Sequence, residues 1–280
     1  MSSAPPGALA GRTVVVTGAA RGLGRAIAVS SARAGADLAV VDVAADIDGV
    51  PYPLGSADQL STTATLCEAE GAAVLARTCD VRDAAMVGRL CRDVLDRFGT
   101  VHGLVNAAGI AAPSGKAVHE IDEVEWNLML DIDLSGAWRT MRAFAATMLA
   151  QADGSIVNIA STAGLVGYRN FSAYVAAKHG LVGLSRSAAL DFAPRKVRVN
   201  ALCPGSVADD PHVEGRMLRE IARSLDVAVD EHEQLFTQSQ PTNELIVPDS
   251  VAAAAVWLLG DGARQVTGVV LPVDGGFTAK

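Results

Sequence analysis

The chain has 280 residues and a formal net charge of −8, and half of its residues are hydrophobic whereas only 4% are aromatic. This length suits one large α/β domain or two small ones, and the negative charge argues against nucleic acid or an anionic membrane surface as a partner. The four cysteines form no Cys-x-x-Cys pair and the five histidines are scattered, so we expect reduced thiols and no metal site.

The N-terminal segment predicts neither export nor a membrane anchor. Residues 1–12 lack the basic start and the apolar core of a signal peptide, and the longest apolar runs are interrupted before they reach the length of a membrane helix. We therefore expect a soluble cytoplasmic protein with no membrane contact. Residues 1–11 are rich in Ser, Ala, Pro and Gly and predict a flexible tail.

A glycine-rich turn follows the first predicted strand. Residues 12–17 are a short β-branched run typical of a buried strand, and Gly18, Gly22 and Gly24 follow in the pattern Thr-Gly-x-x-x-Gly-x-Gly. A helical stretch then runs to about Ala34. Glycines at such a turn let the backbone approach a phosphate, and the free N–H groups of the helix start face it. The turn predicts a dinucleotide site, although its spacing differs from the commoner Gly-x-Gly-x-x-Gly.

The second predicted strand, residues 37–42, ends in a carboxylate. An acid at this place in a dinucleotide fold accepts hydrogen bonds from the adenosine ribose hydroxyls and repels a 2′-phosphate. Asp42 follows the glycine turn by roughly 20 residues, the spacing such an acid has. It therefore predicts NAD rather than NADP.

A long loop leaves the strand that carries Asp42. Residues 44–65 contain Ile47-Asp-Gly-Val-Pro-Tyr-Pro-Leu-Gly-Ser56, and the two prolines and two glycines predict an insertion. It exceeds the roughly two to six residues usual between strand and helix in such units. The insertion should lie beside the adenosine half of the cofactor, either as a surface feature or as a cover over the nucleotide.

The middle of the chain continues the alternation of strands and helices. Residues 103–106 predict the fourth strand, and the small residues that follow it, up to Gly109, again permit close backbone approach. Further helices are predicted at residues 60–70, 83–98 and 123–150, and further strands at residues 73–78 and 155–159.

Tyr174 and Lys178 are four residues apart in an Ala- and Leu-rich run that predicts a helix. This spacing places both side chains on one helical face, a turn apart. A nearby lysine cation favours the phenolate, so we expect Lys178 to lower the pKa of Tyr174 from its usual value of about 10. Ser161 follows a predicted strand and should lie at the sheet edge where active sites of open α/β folds gather. Its hydroxyl could hold a substrate oxygen while Tyr174 exchanges a proton.

The last third of the chain predicts strands at residues 197–202 and 268–273 and a helix at residues 251–259. Between them, residues 209–242 are polar and mixed, with a helix around residues 214–225, and their position predicts a substrate lid. The alternation throughout predicts a single-domain doubly wound Rossmann fold over residues 12–280. This is an α/β class with a mostly parallel sheet flanked by helices.

Together these motifs resemble the short-chain dehydrogenase/reductase family over nearly the whole chain. The matching pieces are Thr17-Gly-Ala-Ala-Arg-Gly-Leu-Gly24, Cys79-Asp-Val81, Asn106-Ala-Ala-Gly109, Ser161, Tyr174-Val-Ala-Ala-Lys178 and Pro204-Gly205. They occur in the order and at the approximate spacing of the family.

The resemblance implies a role for each matched residue. Ser161, Tyr174 and Lys178 would be catalytic, with Asp133 in the same machinery, and Lys178 would also hold the nicotinamide ribose. The residues implied to bind NAD are Gly18, Arg21, Gly22, Leu23, Gly24, Asp42, Val43, Asp80, Val81, Asn106, Ala107, Ala108, Gly109, Tyr174, Lys178, Pro204, Gly205 and Val207. Of these, Asp80 and Val81 would contact the adenine.

Within the family, the loop at residues 50–54 resembles the subgroup coupled to the redox peptide mycofactocin, which includes carveol dehydrogenases. This resemblance implies NAD that is held without exchange and passes its electrons to mycofactocin. It also implies an apolar alicyclic or terpenoid secondary alcohol as substrate. Family members are usually dimers or tetramers, so we expect a homo-oligomer, with a tetramer as the specific prediction.

Two positions depart from the family pattern. Asp133-Leu-Ser-Gly136 stands where the family usually has Asn, which supports a water relay to the lysine. An ionised Asp133 near Lys178 would hold the lysine charged and partly cancel its effect on Tyr174, unless the relay uses the backbone carbonyl. A threonine common near the nicotinamide carboxamide is replaced by Asp209 or displaced, so no role is transferred to Asp209.

The sequence therefore predicts reversible oxidation of a secondary alcohol to a ketone with NAD. One alternative is a freely exchanging ketoreductase of polyketide or fatty-acid type, which Asp42 opposes because biosynthetic reductions commonly draw on NADPH. Another is a non-catalytic dinucleotide-binding sensor or scaffold, which the intact Ser161, Tyr174 and Lys178 set opposes.

Overall fold

The computed structural model of the chain describes residues 7–279, apart from the side chains of residues 231 and 232. In this range seven strands alternate with helices. The strands are β1 (Thr13–Thr17), β2 (Asp37–Asp42), β3 (Val74–Thr78), β4 (Gly103–Asn106), β5 (Gly154–Ile159), β6 (Val197–Pro204) and β7 (Val270–Val273). The helices are α1 (Gly22–Arg33), α2 (Ala57–Ala69), α3 (Ala84–Phe98), α4 (Glu123–Leu130), α5 (Ala137–Gln151), α6 (Ser172–Phe192), α7 (Met217–Ser224), α8 (Val229–Ser239) and α9 (Pro248–Leu259).

The strands form one sheet in the order β3-β2-β1-β4-β5-β6-β7, and every neighbouring pair is parallel. The strand order reverses direction at β1, which pairs with β2 on one side and with β4 on the other. A crevice opens at such a switch point beyond the carboxyl ends of the strands. The predicted doubly wound Rossmann fold is thus confirmed.

Helices cover both faces of the sheet, and the strand residues alternate between them. Val14 and Val16 pack with α1, α2 and α9, whereas Val15 packs with α3, α5 and α6. The side chains of β1 are buried on both faces, which is why its sequence is a continuous apolar run rather than an alternating one. In the described part of the chain, no helix is both long enough and apolar enough to span a membrane.

The N-terminal segment is packed more closely than the expected flexible tail. Residues 1–6 lie outside the described residues, but residues 7–11 do not behave as a loose tail. Leu9 is fully buried in the core beside α1 and α9, and its N–H donates to the Ala34 carbonyl at 2.9 Å. The single apolar side chain in a small-residue segment is enough to anchor it, because it fills a site in the core.

Three element boundaries also differ from prediction. The insertion is shorter than residues 44–65, because Ser56 and Gln59 form a capping box that begins α2 at Ala57. The predicted helix over residues 123–150 is divided by a π-helical turn, Asp131–Gly136, that carries Asp133. The lid contains a second helix, α8, that its polar sequence did not predict.

Candidate functional site

A single cleft lies at the carboxyl ends of the strands and brings together almost all of the predicted site residues. Its lining includes the four predicted catalytic residues, Ser161, Tyr174, Lys178 and Asp133. The other predicted residues that line it are Gly18, Arg21, Gly22, Leu23, Gly24, Asp42, Val43, Asp80, Val81, Ala107, Ala108, Gly109, Pro204, Gly205 and Val207.

Asn106 is the predicted residue that does not line the cleft. Its side-chain amide donates to the Asn158 side-chain oxygen at 2.8 Å, and its oxygen accepts from the Thr140 hydroxyl at 2.6 Å. These groups form a buried polar network that ties β4 to β5 and α5. The Asn106 side chain therefore supports the sheet beneath the cleft, and contact of this residue with the cofactor stays a prediction.

The glycine turn is held tightly against the end of β4. The Thr17 hydroxyl accepts hydrogen bonds from the N–H groups of Ala107 and Ala108, both at 3.2 Å. Gly18 has φ +66°, and a Cβ there would come within 2.7 Å of the Ala108 nitrogen. Only glycine satisfies both the backbone angle and this close approach. The first turn of α1 is thereby left facing the open cleft, as a phosphate site requires.

The carboxylate of Asp42 is oriented by the backbone. It accepts from the N–H of Ala20 at 2.9 Å and from the N–H of Ala44 at 3.2 Å, and the residue is 8% exposed. The insertion passes directly over it, since a Cβ on Gly55 would lie 2.9 Å from Asp42 Oδ1 and 2.6 Å from the Ala20 Cβ. The acid predicted to select NAD is therefore fixed in place and covered.

Asp80 is already engaged within the chain. Arg82 donates to both of its carboxylate oxygens, and the shortest contact, from Nη2 to Oδ2, is 2.6 Å. Burial disfavours the ionised form of Asp80, but these hydrogen bonds outweigh it and lower its pKa. Asp80 therefore stays a carboxylate, and it lines the cleft together with Val81.

The three predicted catalytic residues meet at the end of β5. Ser161 follows that strand, and Tyr174 and Lys178 lie one turn apart on α6. The hydroxyl groups of Ser161 and Tyr174 are hydrogen-bonded to each other. Lys178 Nζ lies 5.4 Å from the centre of the Tyr174 ring and donates to the Ile159 carbonyl at 3.2 Å.

The pKa of Tyr174 moves in the opposite direction from the sequence-based expectation. Burial raises it above the usual value, and although Lys178 and the Ser161 hydrogen bond act to lower it, Asp133 acts with burial to raise it. Asp133 Oδ2 lies 3.0 Å from Lys178 Nζ, and Oδ1 accepts from the Ile110 N–H at 2.8 Å. Burial alone would lower the pKa of Lys178, but Asp133 raises it, so the lysine stays a cation. Lys178 thus lowers the pKa of Tyr174 as expected, but burial outweighs its effect and the net shift is upward.

The insertion is a cover over the cleft rather than a surface feature. Tyr52, between its two prolines, is 6% exposed and accepts a hydrogen bond from the Ala111 N–H at 3.0 Å. The Pro53 carbonyl accepts from Arg21 Nη2 at 2.9 Å. Sequence analysis did not single out Tyr52 within the insertion.

The segment predicted to be a substrate lid, residues 209–242, contributes side chains to the lining of the cleft. It is tied to the body of the protein by Glu214, which accepts from Arg25 Nη1 at 2.8 Å and also from the Gln59 side chain. Asp209 accepts from the N–H groups of Leu218 and Arg219 at 3.0 Å each, so it stabilises the start of α7. Apolar side chains that line the cleft include Ile110, Tyr168, Phe171, Val213, Leu218, Ile221 and Phe236.

Comparison with known proteins places the chain among dehydrogenases and reductases. The family model described as enoyl-(acyl carrier protein) reductase matches residues 18–278. The chain is 38% identical over 276 residues to (−)-trans-carveol dehydrogenase of Rhodococcus erythropolis, covering 96% of this chain and 98% of that protein. It is also 38% identical over 272 residues to cis-4-hydroxycyclohexanecarboxylate dehydrogenase of Sinomonas cyclohexanicum, covering 97% and 98%.

A solved structure extends the likeness to the fold. The crystal structure of carveol dehydrogenase from Mycobacterium avium in complex with NAD superposes with a TM-score of 0.89 at 31% identity, covering 98% of this chain and 100% of that one. Three observations point to the same family. A family model spans most of the chain, the relatives are more than 30% identical to it, and the family motifs meet in one cleft. The chain belongs to the short-chain dehydrogenase/reductase family.

Proposed function

We propose that the protein is an NAD-dependent dehydrogenase that interconverts a secondary alcohol and a ketone by hydride transfer. The observation that carries the proposal is the placement of Ser161, Tyr174 and Lys178 in the same cleft as the glycine turn. The relatives named above are dehydrogenases of cyclic alcohols, and one solved neighbour holds NAD.

The residues of the cleft fit NAD. A Cβ on Gly22 would meet no described atom within 4 Å, so open space lies at the start of α1, and Arg21 Nη1 is buried without a hydrogen-bond partner among the described residues. Asp42 presents a fixed carboxylate to a ribose and would repel a 2′-phosphate. These features support a cofactor with an unphosphorylated adenosine ribose.

Ser161, Tyr174 and Lys178 each have a separate role in the proposed reaction. Bound NAD would supply the nicotinamide carbon that accepts or returns the hydride. Ser161 holds the substrate oxygen by its hydroxyl, and Tyr174 accepts the alcohol proton as a phenolate or returns it as a phenol. Lys178 favours the phenolate by its charge and is placed to hold the nicotinamide ribose. A positioned acid–base group of this kind contributes about 10²–10⁴-fold to the rate.

We propose an apolar alicyclic or terpenoid alcohol as the substrate. The substrate side of the cleft is lined mainly by aliphatic and aromatic side chains, among them Ile110, Phe171 and Phe236. Such a surface favours a compact hydrocarbon ring and offers few hydrogen bonds to a polar chain.

We further propose that NAD is held without exchange and is reoxidised by mycofactocin. The support is the cover formed by residues 44–56, in which Tyr52 is buried against Ala111 and Gly55 lies against Asp42. A nucleotide beneath this cover could leave only after the cover or the lid had moved.

One experiment separates these parts. The purified protein is denatured to identify any released nucleotide, and the intact protein is given cyclic secondary alcohols with and without NAD. We expect a single rise in NADH absorbance, near one equivalent, that added NAD cannot extend but an artificial electron acceptor can. Steady turnover on added NAD would contradict the trapped cofactor and favour the freely exchanging ketoreductase. Bound nucleotide that no alcohol reduces would favour a sensor or scaffold.

We also propose a homotetramer in the cytoplasm. Trp138 on α5 is 45% exposed and Leu190 on α6 is 79% exposed, which are apolar surfaces that association would cover. Light scattering after gel filtration would give the subunit number, and a monomer would contradict the proposal. The location stays a prediction from the sequence.

A further inference from the structure

Two arginines from distant parts of the chain line the same cleft. Arg21 lies immediately before α1, and Arg216 lies immediately before α7 in the lid. Both border the cleft together with Gly22 and Leu23, the first residues of α1. Two guanidinium groups therefore lie in the same cleft as the N-terminal end of a 12-residue helix, whose own N–H groups and dipole favour an anion.

Arg21 is only partly satisfied by the chain itself. Its Nη2 donates to the Pro53 carbonyl, whereas its Nη1 is buried without a hydrogen-bond partner. Burial lowers the pKa of Arg21, and the nearby Arg216 lowers it further, while Tyr52, Asp42 and Glu220 act against this shift. A buried guanidinium N–H without an acceptor is costly, and no described residue supplies one to Nη1, so this group is suited to an acceptor on a bound ligand.

The acidic groups near Arg21 accept hydrogen bonds from other parts of the chain. Asp42 accepts from two backbone N–H groups, and Glu220 Oε2 accepts from Arg223 Nη1 at 2.7 Å. Neither forms an ion pair with Arg21 in the described part of the chain. The acceptor that Arg21 lacks is therefore not supplied by its acidic neighbours.

Arg216 is brought to the cleft by the lid. Its side chain makes no hydrogen bond or ion pair with the described residues. Two residues earlier, Glu214 is held by Arg25 and Gln59, which fixes the segment that carries Arg216 against α1 and α2. Arg216 is therefore held at the cleft by the contacts of Glu214, whose carboxylate also attracts the guanidinium without forming an ion pair with it.

We propose that Arg21 and Arg216 form a clamp that holds the diphosphate of the bound dinucleotide from two sides, with Arg216 supplied by the lid. The diphosphate carries the two negative charges that the pair of cations needs, and its expected place is the turn at residues 18–24. This inference rests on the dinucleotide part of the proposed function and not on the alcohol or on mycofactocin. It makes the lid part of the cofactor site, so that the cofactor itself helps to hold the lid closed.

The first test measures nucleotide exchange. Isotope-labelled NAD is incubated with the unaltered protein and with the variants Arg21→Gln and Arg216→Gln. The control variant is Arg219→Gln, because Arg219 is an exposed residue of α7 outside the cleft. Mass spectrometry of the released nucleotide gives the exchange rate, at a temperature raised until the unaltered protein exchanges within a day. We expect each clamp variant to exchange about tenfold faster or more, and the control to be unchanged. Circular dichroism and melting curves check that each variant is folded.

The second test identifies the group that the arginines hold. ADP and adenosine are used as competitors against labelled NAD, because only ADP carries the diphosphate. We expect the inhibition constant of ADP to rise about tenfold in both clamp variants while that of adenosine stays the same. Equal weakening of ADP and adenosine, or unchanged exchange and competition, would overturn the clamp. Unchanged nucleotide binding with a raised KM for alcohols that carry an acid group would overturn it in favour of a substrate site.

These outcomes separate the clamp from the proposed function. If the unaltered protein contains no NAD and binds neither labelled NAD nor ADP, the dinucleotide assignment fails and the clamp fails with it. If NAD binds normally and the arginines make no difference, the clamp alone fails.

Discussion

Asp133 and Lys178 form a buried ion pair, with Oδ2 and Nζ 3.0 Å apart. Asp133 is 2% exposed and Lys178 is 5% exposed, so the pair lies away from bulk water beside the Tyr174 ring. A lysine paired in this way keeps its positive charge, but the negative charge of the carboxylate partly cancels the electrostatic potential that the lysine creates at Tyr174. Its ability to make Tyr174 acidic is therefore reduced, which agrees with the raised pKa of the tyrosine.

This arrangement predicts a pH dependence for alcohol oxidation. Tyr174 must be a phenolate to accept the alcohol proton, and burial and Asp133 raise its pKa above the usual value of about 10. We expect kcat/KM for oxidation to rise with pH through the neutral and mildly alkaline range. Asp133→Asn removes a charge that raises the pKa, so its profile should move to lower pH and its activity at neutral pH should be retained or increased. A loss of more than about tenfold, near 1.4 kcal/mol of barrier, would contradict this view.

Asp131→Asn is the matched control for that measurement. Asp131 lies in the same π-helical turn but pairs with Arg139 at 2.6 Å instead of with Lys178. Removing its charge should leave the position of the profile unchanged. A shift of similar size in both variants would show that the effect comes from the turn and not from the pair with Lys178.

Tyr174→Phe should abolish turnover while the nucleotide stays bound. The substitution removes the hydroxyl that bonds to Ser161 and leaves the ring that lies beside Lys178. We expect kcat to fall by about 10²–10⁴-fold, with an unchanged NAD content in the purified protein. Stopped-flow absorbance measures the first turnover, and mass spectrometry measures the nucleotide. Undiminished turnover would exclude Tyr174 as the proton acceptor.

The sequence predicted the parts of the site that depend on local pattern. The Gly18 turn, Asp42 at the end of β2 and the helical pair Tyr174 and Lys178 follow from strand and helix periods, which fix where each side chain points. Parallel strands then bring their carboxyl ends to one edge. For this reason Ser161 and the glycine turn could be placed in one cleft although they are far apart in the chain.

The rest depends on tertiary contacts that periodicity does not encode. Asn106 belongs to a motif next to the cofactor, yet its neighbours Asn158 and Thr140 turn its side chain into the sheet. The net pKa shift of Tyr174 depends on burial, which outweighs the spacing to Lys178. Arg216 lies in a polar segment without a motif, and only the contacts of Glu214 bring it to the cleft.

Gly55→Ala should loosen the cover over the adenosine side. The added Cβ would lie 2.6 Å from the Ala20 Cβ and 2.9 Å from Asp42 Oδ1, so either the insertion or the carboxylate must move. We expect faster NAD exchange and a lower NAD content after purification. Gly88→Ala is the control, because its Cβ meets only Arg92 Nη1 at 3.9 Å within α3. That change should leave exchange alone and add about 0.5–1 kcal/mol of stability. Normal retention of NAD in Gly55→Ala would mean that the close approach at Asp42 does not govern exchange.

Glu214→Gln should weaken the attachment of the lid. Arg25 has only 3% of its side chain exposed, and Glu214 supplies its ion-pair partner at 2.8 Å. The glutamine can accept one hydrogen bond but leaves the buried guanidinium without a counter-charge, although Thr63 still accepts from Arg25 Nε. We expect a loss of roughly 1–3 kcal/mol in the free energy of unfolding, measured in urea, together with faster NAD exchange.

Glu70→Gln is the matched control for this change. It also removes the carboxylate partner of an arginine of α1, but this pair lies at the surface. Glu70 pairs with Arg33 at 2.8 Å, but Arg33 has 63% of its side chain exposed, so water replaces the lost partner. The control should cost about 0–1 kcal/mol and leave NAD exchange unchanged. Equal losses of stability in the two variants would show that Glu214 contributes no more than a surface pair. A destabilised Glu214→Gln protein with normal exchange would show that the attachment stabilises the fold without holding the cofactor.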